Sequence, residues 1–514
     1  MQGPSRVLLT ILAAAALAGC GQAPATSPAA TAGPTGAPTG TPAGSAVTSA
    51  PTPTSTAPTT TPATPVPLPV EVDCTAYVSP AGDDGAAGTE QAPWGTIQHA
   101  ADTAKPGDAV CLANGDYAGQ GEVFFEVSGT TAAPIIFAAP AGSVTVSALT
   151  LQKGASHLRF LGFTVQGFRI WGVTLLGTNE DVVLSHLTVI GGEAGIRLTD
   201  GNSGEPPAEG PVSNVVVEDS VVRDSMYTAV DCTPGPCDRT TFRRLEVFGA
   251  GLEAGFGGDG IGFEKGSNVL VEDCYIHDNG GDGIDLNSRD SDGNVPGVLV
   301  RRNRVIRNHL MGIKLWAGGR MENNVVAGQG VDPVLLGVHP GTFEVVNNTI
   351  AYNMYDPAFG ERDYSFVAGA FNPDLGRASR IKLTLANNLF VFNTAPGISD
   401  GPTGIYFGPG VTLDEHHNLY WSREDAEIAA DFVTGHDPEF ARAEIADGTW
   451  TDVTGQGAGD VTADPLLAAG WPDLDLHLAA GSPAIDAGST DGAPTDDAEG
   501  RPRSGTPDIG AYER

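Results

Sequence analysis

A short run of alternating apolar and polar residues recurs along the middle of the chain and limits the folds open to it. Its copies are spaced mostly 21 to 33 residues apart. Self-similarity at such a period is typical of solenoids, in which each repeat buries its apolar side chains against its neighbours. The copies are Phe160-Leu-Gly-Phe163-Thr-Val, Val217-Glu-Asp-Ser220-Val-Val, Phe242-Arg-Arg-Leu245-Glu-Val, Val271-Glu-Asp-Cys274-Tyr-Ile, Val300-Arg-Arg-Asn303-Arg-Val, Met321-Glu-Asn-Asn324-Val-Val, Val346-Asn-Asn348-Thr-Ile and Leu385-Ala-Asn-Asn388-Leu-Phe.

A second motif, of the form x-Gly-Ile-x, alternates with the first. Two short strand types per period, with Gly and Asn at the corners, predict an all-β parallel β-helix. Asparagines that recur at one place in the coil, Asn303, Asn324, Asn348 and Asn388, are expected to stack as a structural ladder of amide hydrogen bonds. The copies of the second motif are Trp171-Gly-Val-Thr174, Ala194-Gly-Ile-Arg197, Thr228-Ala-Val-Asp231, Asp259-Gly-Ile-Gly262, Asp282-Gly-Ile-Asp285 and Met311-Gly-Ile-Lys314.

The first 70 residues differ in composition from the rest. Residues 1–20 have one charge, Arg6, followed by an apolar run, which indicates an export signal that is too short to span a membrane. The ending Leu17-Ala18-Gly19-Cys20 resembles a bacterial lipobox, which implies a lipid on Cys20. Residues 21–70 have no charged residue and consist mainly of Pro, Thr, Ala, Ser and Gly, so they predict a disordered tether.

Residues 71–514 are then the predicted β-helix domain, with an N-terminal cap at about 71–120 and a closing segment at about 460–514. We expect a monomer that is exported and held by its lipid at the outer face of the bacterial cell membrane.

Five cysteines remain in an oxidising compartment, so at least one is unpaired. Cys274 falls at the ladder position, where a buried inert thiol is expected. The candidate disulfides are Cys232 with Cys237, across a tight turn, and Cys74 with Cys111, within the cap.

The charge balance restricts the partners. There are 27 Lys and Arg against 62 Asp and Glu, a net charge of −35. Nucleic acid is a poor partner for such a surface, because phosphate binding requires a basic face. An anionic polymer would need a metal cation or a local basic cluster to offset the repulsion.

Candidates for both a metal site and a basic cluster occur in the central repeats. Equivalent positions in successive coils stack about 4.8 Å apart, so Asp259 is expected beside Asp282, with Asp285 on the same strand. Carboxylates this close repel unless one is protonated or a cation binds, and hard oxygen ligands favour Ca²⁺.

One coil further on, the position of Asp285 is taken by Lys314. His309 and Trp316 flank it in the sequence, and the surrounding twenty residues are rich in cations. An acidic sugar held between Ca²⁺ and these cations is one interpretation. The basic residues are Arg301, Arg302, Arg304, Arg307, Lys314 and Arg320.

The ends of the domain resemble those of secreted right-handed parallel β-helix proteins. The opening segment contains Tyr77-Val-Ser-Pro-Ala-Gly and Pro93-Trp-Gly-Thr-Ile-Gln-His-Ala-Ala, and the closing segment contains Gly481-Ser-Pro-Ala-Ile-Asp-Ala-Gly. The resemblance implies a short helix around Thr96–Ala104 that caps the first coil.

The centre, residues 255–316, resembles calcium-dependent pectate lyases of polysaccharide lyase family 9. The resemblance rests on Asp259-Gly-Ile-Gly-Phe-Glu-Lys-Gly-Ser-Asn268, Asp278-Asn-Gly-Gly-Asp282-Gly-Ile-Asp285 and Lys314. It implies that Asp259, Asp282 and Asp285 are calcium ligands. It also implies that Lys314 removes the proton beside the uronate carboxyl.

Arg304 or Arg307 would then bind the substrate carboxylate, with Trp316 and His309 as further contacts. The family shows an adjacent aspartate pair where this chain has Gly281-Asp282. One calcium ligand is therefore missing or comes from Asp278, Asn279 or Asp231.

Three other interpretations stay open at this point. The acidic cluster can be a structural calcium site with no reaction, because Asp-Gly turns are common at corners. The domain can be a non-catalytic module that binds glycan or serves as a stalk or adhesin. A uronan C5-epimerase would share the proton abstraction without breaking the polymer.

Overall fold

The computed structural model describes residues 72–140, 142–199, 212–252, 257–289, 295–352, 364–369, 371–372, 377–391, 404–422, 427–433, 439–470 and 473–514. Cys20, the export signal and the tether lie outside these residues. The described chain forms three long sheets of mostly parallel strands, one strand of each per coil, which is a right-handed parallel β-helix as predicted. No helix among the described residues is long and apolar enough to span a membrane.

We number the sheets in the order in which a coil passes through them. Sheet 1 contains Ala76–Val78, Ala109–Leu112, Ile135–Ala138, Leu158–Leu161, Glu180–Ser185, Val212–Glu218, Thr241–Arg243, Leu270–Glu272, Leu299–Arg301, Gly319–Glu322, Gly341–Val346, Ile381–Ala386 and Val411–His416, with Cys237–Asp238 beside Val212–Glu218.

Sheet 2 contains Gly115–Asp116, Val144–Val146, Phe163–Gln166, Thr188–Ile190, Val221–Arg223, Glu246–Phe248, Tyr275–His277, Arg304–Ile306, Val325–Ala327, Thr349–Ala351, Leu389–Val391 and Leu419–Trp421. Sheet 3 contains Glu122–Phe125, Ala148–Leu151, Trp171–Leu175, Ala194–Arg197, Val230–Cys232, Ile261–Phe263, Ile284–Leu286, Ile313–Leu315, Val334–Leu336, Tyr364–Ala368, Gly404–Phe407, Glu427–Ala430 and Glu439–Ala441, the last antiparallel to its neighbour.

Three strands per coil, rather than the predicted two, follow from the corner between sheets 1 and 2. Each copy of the first sequence motif spans this corner, and a residue with positive φ bends the chain in its middle. Apolar and polar residues go on alternating through the bend. The strands on either side of it therefore look like a single strand in the sequence. These corner residues are Gly162, Asp219, Arg244, Asp273, Arg302, Asn323, Asn347 and Asn387, and His417 occupies the same place in a later coil.

The predicted asparagine ladder lies just inside this corner. The amide of Asn324 donates to Asn348 at 2.9 Å, and that of Asn348 donates to Asn388 at 3.0 Å. The ladder continues to Asn418, which the sequence analysis did not include. These side chains are buried, so each hydrogen bond between them satisfies a polar group that would destabilise the fold if it had no partner.

A second buried amide ladder at the corner between sheets 2 and 3 is not predicted. Asn279 donates to Asn308 at 2.9 Å, and the backbone N–H of Asn308 donates to Gln329 at 2.9 Å. Between the two ladders the interior is filled by stacked aliphatic and aromatic side chains. The two ladders fix the pitch of the coils that carry the acidic cluster.

The N-terminal end is closed by a helix, Ile97–Thr103, whose N-terminus is capped by the Thr96 hydroxyl, and by a 3₁₀ turn, Ala118–Gln120. The structure contains both expected disulfides, Cys74–Cys111 and Cys232–Cys237, and a buried free thiol at Cys274. Burial raises the pKa of Cys274 to about 12, so this thiol is inert at neutral pH.

The C-terminal end has two short helices, Arg442–Ala446 and Thr449–Thr454. A pair of antiparallel strands follows, Leu467–Ala469 with Asp475–Leu478, and Phe371–Asn372 pairs in the same way with Arg377–Ala378.

Residues 473–514, which we call the tail, run back over the outside of the β-helix. Apolar tail residues such as Leu476 and Ile509 cover the outer face of sheet 2. The corner asparagines bind its backbone: Asn323 donates to Asp496 O, Asn347 to Asp508 O and Asn387 to Ser489 O, at 2.8 to 2.9 Å.

Candidate metal centre and active site

Three aspartates meet on the outer face of sheet 3, and we call them the acidic cluster: Asp259, Asp282 and Asp285. The strand register pairs Ile261 with Ile284 and Gly262 with Asp285, which sets Asp259 beside Asp282. Glycine is favoured at the bend beside Asp259, because a Cβ on Gly260 would lie 2.6 Å from the Ile276 side chain, whereas the previous copy of the motif has Ala229 at this place. The isoleucine is buried in the core, so the first and last residues of the motif face outward.

One carboxylate oxygen from each of the three aspartates lies within 4.8 Å of those from the other two. The backbone N–H of Asp282 donates to Asp259 Oδ1 at 2.8 Å, and that of Met311 donates to Asp282 Oδ1 at 2.8 Å. The Trp316 indole N–H donates to Asp285 Oδ1. The backbone and Trp316 therefore fix the orientation of each carboxylate.

The electrostatics of the cluster disfavour three bare negative charges. Burial, together with the charges of Asp282 and Asp285, raises the pKa of Asp259 well above its ordinary value. Burial, with a further contribution from Asp282 that Lys314 opposes, raises the pKa of Asp285 to about 6. Closely spaced carboxylates at raised pKa are a donor set that fits a divalent cation such as Ca²⁺.

Lys314 is paired with Asp285 in the register of sheet 3 and is almost fully buried. Its Nζ lies 2.5 Å from Asp282 Oδ2, 3.7 Å from Asp285 Oδ2 and 5.7 Å from the centre of the Trp316 ring. Burial opposes the charge of this amine, but Asp282, Asp285 and Asp259 outweigh it and raise the pKa of Lys314. With those carboxylates ionised, Lys314 is an ammonium ion and balances one of their charges.

Trp316, which the sequence predicts as a substrate contact, is largely buried. Its side chain is 6% exposed and packs with Met311, Leu335 and Val367 in an apolar layer that continues sheet 3 beyond Lys314. Its contact with the site is the hydrogen bond to Asp285. His309 is exposed at the corner that precedes Met311, where its backbone N–H donates to Asn279 O.

The structure corrects the placement of Arg304 and Arg307. Arg304 lies on sheet 2, where its guanidinium stacks on Tyr275 at 5.8 Å. Arg307 lies at the corner between sheets 2 and 3 and binds both carboxylate oxygens of Asp278 at 2.8 to 2.9 Å. Neither guanidinium joins the acidic cluster, because alternation along the strand and the turn after it direct them elsewhere.

The remaining cations of the basic segment belong to sheet 1 and its corner. Arg301 binds Glu272, Arg302 binds Asp273 and Asp496, and Arg320 binds Glu322 and Glu344. Of the six basic residues, the structure brings only Lys314 to the acidic cluster.

None of the three residues considered as a fourth ligand completes the cluster. Asp278 is engaged by Arg307 and His277, and Asn279 belongs to the second buried amide ladder. Asp231 forms an ion pair with Arg197 and is separated from Asp285 by Gly262. The sequence could have revealed the Arg197–Asp231 pair, because both occupy the last position of an x-Gly-Ile-x copy.

The fold and the site define a right-handed parallel β-helix protein with an acidic cluster and one lysine on its third sheet. Residues 171–360 match the family model described as the right handed beta helix region, and residues 80–128 match a family described as a protein of unknown function. No curated protein matches the chain.

Several solved structures are similar to it. Pectate lyase Pel9A is 17% identical, with 85% of this chain and 96% of that one covered and a TM-score of 0.40. The A-module of the Azotobacter vinelandii mannuronan C-5 epimerase AlgE6 is 14% identical, with 72% and 93% covered and a TM-score of 0.49. A rhamnogalacturonan lyase is 16% identical, with 67% and 87% covered and a TM-score of 0.44. At such identities the likeness concerns the fold alone.

Proposed function

We propose that this protein is a polysaccharide lyase that cleaves an acidic, uronate-containing polysaccharide such as pectate by Ca²⁺-assisted β-elimination. The observation that carries the proposal is the adjacency of three carboxylates, all within 4.8 Å of one another, to a lysine amine 2.5 Å from one of them. A cation site beside a potential base is what proton abstraction next to a carboxylate requires.

Charge supports a cation-dependent mode of binding. The chain has a net charge of −35, and the cluster adds local negative charge where a polyanion would have to bind. Ca²⁺ takes about 6–8 oxygen ligands, so three aspartates leave positions for a substrate carboxylate and water. When bound, Ca²⁺ would neutralise that carboxylate and stabilise the negative charge that develops on it as the adjacent proton leaves.

Lys314 is the candidate base. Its neutral amine takes the proton from C5 of the uronate, the electron pair forms the C4=C5 double bond, and the bond from C4 to the glycosidic oxygen breaks. That oxygen leaves with a proton from water. Because the aspartates hold Lys314 in its charged form, the amine becomes available only when their charge is neutralised, and chelation should therefore abolish the reaction.

Ultraviolet absorbance of the unsaturated uronate product tests this proposal directly. The full chain is incubated with polygalacturonate, alginate and rhamnogalacturonan, each with Ca²⁺ or with a chelator. We expect a Ca²⁺-dependent rise on one polymer. Lys314→Ala and Lys314→Arg should each lose about 10²–10⁴-fold in rate, since a general base contributes that much and arginine keeps the charge but cannot accept a proton.

Lys382→Ala is the matched control, because Lys382 is an exposed lysine on sheet 1. Full activity of Lys314→Arg would contradict the role of Lys314 as the base. Exchange of the C5 proton with solvent deuterium without any unsaturated product would identify an epimerase, and polymer binding with neither change would identify a non-catalytic module.

We further propose that the protein is exported and anchored by a lipid on Cys20, on the strength of the lipobox-like segment Leu17–Cys20. The test is fractionation of bacterial cells that produce the full chain. Cys20→Ser should shift the protein out of the membrane fraction. An unchanged distribution would contradict the anchor while leaving the lyase proposal intact.

A further inference from the structure

Gly262 interrupts a row of polar side chains on the outer face of sheet 3. The row consists of residues paired in register from coil to coil, namely Thr174, Arg197, Asp231, Gly262, Asp285 and Lys314. Glycine in the middle of a strand weakens it, and it often marks a place where another group approaches closely. The φ of Gly262 is not in the left-handed region, so the backbone itself does not require glycine there.

Two side chains reach the space above Gly262, those of Thr228 and Asp259. A Cβ added to Gly262 would lie 3.5 Å from Asp259 Oδ2 and 3.1 Å from the Thr228 methyl group. The other carboxylate oxygen, Asp259 Oδ1, accepts the backbone N–H of Asp282 at 2.8 Å. Asp259 is therefore fixed at one oxygen, and its other oxygen lies next to the Gly262 position.

Asp285 is paired with Gly262 in the next coil. Asp259 and Asp285 belong to different rows of the sheet, since the lateral neighbour of Asp259 is Asp282. The three carboxylates come within 4.8 Å of one another because nothing projects from position 262 between the rows.

We propose that Gly262 is a positioning residue that keeps space clear for Asp259 Oδ2 to join Asp282 and Asp285 around one divalent cation. This inference rests on the proposed function, since it assumes that the acidic cluster binds a cation. It extends that function by assigning a role to a residue that has no side chain and cannot itself be a ligand.

Two substitutions of graded size test the inference on the full chain. Gly262→Ala places only a Cβ at ordinary contact distance from Oδ2, and Ca²⁺ affinity measured by calorimetry should fall by no more than about threefold. Gly262→Val adds methyl groups about 1.5 Å further out. These displace Asp259, and the affinity should fall at least tenfold, which is 1.4 kcal/mol.

If Gly262→Val lowered the Ca²⁺ affinity by damaging the fold, its thermal unfolding midpoint in chelator would fall as well. Valine favours strands and glycine does not, so we expect that midpoint to equal or exceed that of the unsubstituted chain. The double variant Thr228→Ala/Gly262→Val removes the other close contact and should keep the loss of affinity. Recovery of affinity in the double variant would assign the effect to Thr228 and overturn the inference.

The failure of this inference is distinct from the failure of the proposed function. If Asp282→Asn abolishes Ca²⁺ binding and Gly262→Val leaves it unchanged, the positioning role is overturned and the cation site stands. If the unsubstituted chain does not bind Ca²⁺, both are overturned.

Discussion

Trp316 and Lys314 hold the same carboxylate from two sides. The indole N–H donates to one oxygen of Asp285, and the Lys314 amine lies 3.7 Å from the other. Because Trp316 is buried against Met311 and Leu335, its ring cannot turn away. The orientation of Asp285 is thus set by the apolar layer next to the cluster.

Trp316→Phe should retain the packing and lose this hydrogen bond. With Asp285 free to rotate, we expect Ca²⁺ affinity to fall about threefold to tenfold, since a hydrogen bond to a charged group contributes about 1.5–3 kcal/mol and part of this is recovered by water. Calorimetric titration measures the change. Trp421→Phe, on sheet 2, is the control, and an equal loss in both variants would contradict the role of the indole.

At the scale of the element, Asp460 ends the asparagine ladder. Its Oδ1 accepts the backbone N–H of Asn418 at 2.8 Å, in the way that each asparagine accepts from the one before. The neighbouring Glu415 carboxylate accepts hydrogen bonds from Tyr420 at 2.8 Å and from Trp450 at 3.1 Å. Asp460 therefore lies beside a buried carboxylate that is already engaged by other donors.

Asp460→Asn should therefore stabilise the protein in a pH-dependent way. Burial and Glu415 raise the pKa of Asp460 well above its ordinary 3.8, so the folded chain retains a proton that the unfolded chain releases. Folding stability then declines as the pH rises from that ordinary value towards the raised one. Asparagine keeps the acceptor oxygen and has no proton to retain.

Thermal unfolding between pH 4 and pH 9 tests this expectation. The midpoint of the variant should exceed that of the unsubstituted chain at pH 8, and the difference should shrink towards pH 4. A difference that does not change with pH would contradict the raised pKa.

At the scale of the whole molecule, the tail joins coils that are far apart in sequence. Arg503 belongs to the tail, and its side chain is buried against the β-helix. Its Nη1 lies 3.0 Å from Glu513 Oε2, and its Nη2 donates to Asn323 Oδ1 at 2.8 Å. Two backbone carbonyls, Gly510 O and Ala511 O, also accept from this guanidinium. Arg503 therefore connects the tail both to itself and to the β-helix.

Arg503→Ala should cost about 3–5 kcal/mol in the free energy of unfolding of the tail, since it leaves a buried carboxylate without its partner. Limited proteolysis should show earlier cleavage of the tail, and denaturant unfolding gives the magnitude. Arg501→Ala is the matched control: Arg501 is exposed and paired with Glu499, and such surface pairs contribute about 0–1 kcal/mol. Equal effects of the two variants would contradict a specific role for Arg503.

The repeat made the coil, the ladder and the pairing of Asp285 with Lys314 predictable, because register alone determines them. It did not determine what Arg304, Arg307 or Trp316 contact, because those side chains extend from strand ends and turns whose direction the repeat leaves open. The packing of the tail could not be predicted from the sequence for another reason. Arg503 and Asn323 are 180 residues apart, and no local pattern relates them.

The corner residues between sheets 1 and 2 differ between the coils that the tail contacts and the earlier coils. Asp219, Arg244 and Asp273 carry charges, and Arg244 binds Asp219 of the previous coil. Arg302 binds the tail through Asp496, and from Asn323 to Asn387 the corner residues are asparagines that bind the backbone of the tail. A duplicated coil could be inserted among the charged corners and shift the rest as a block. An insertion between Arg302 and Asn387 would move these residues apart and break their register with the tail, so we expect an added coil to be tolerated better on the N-terminal side of Arg302.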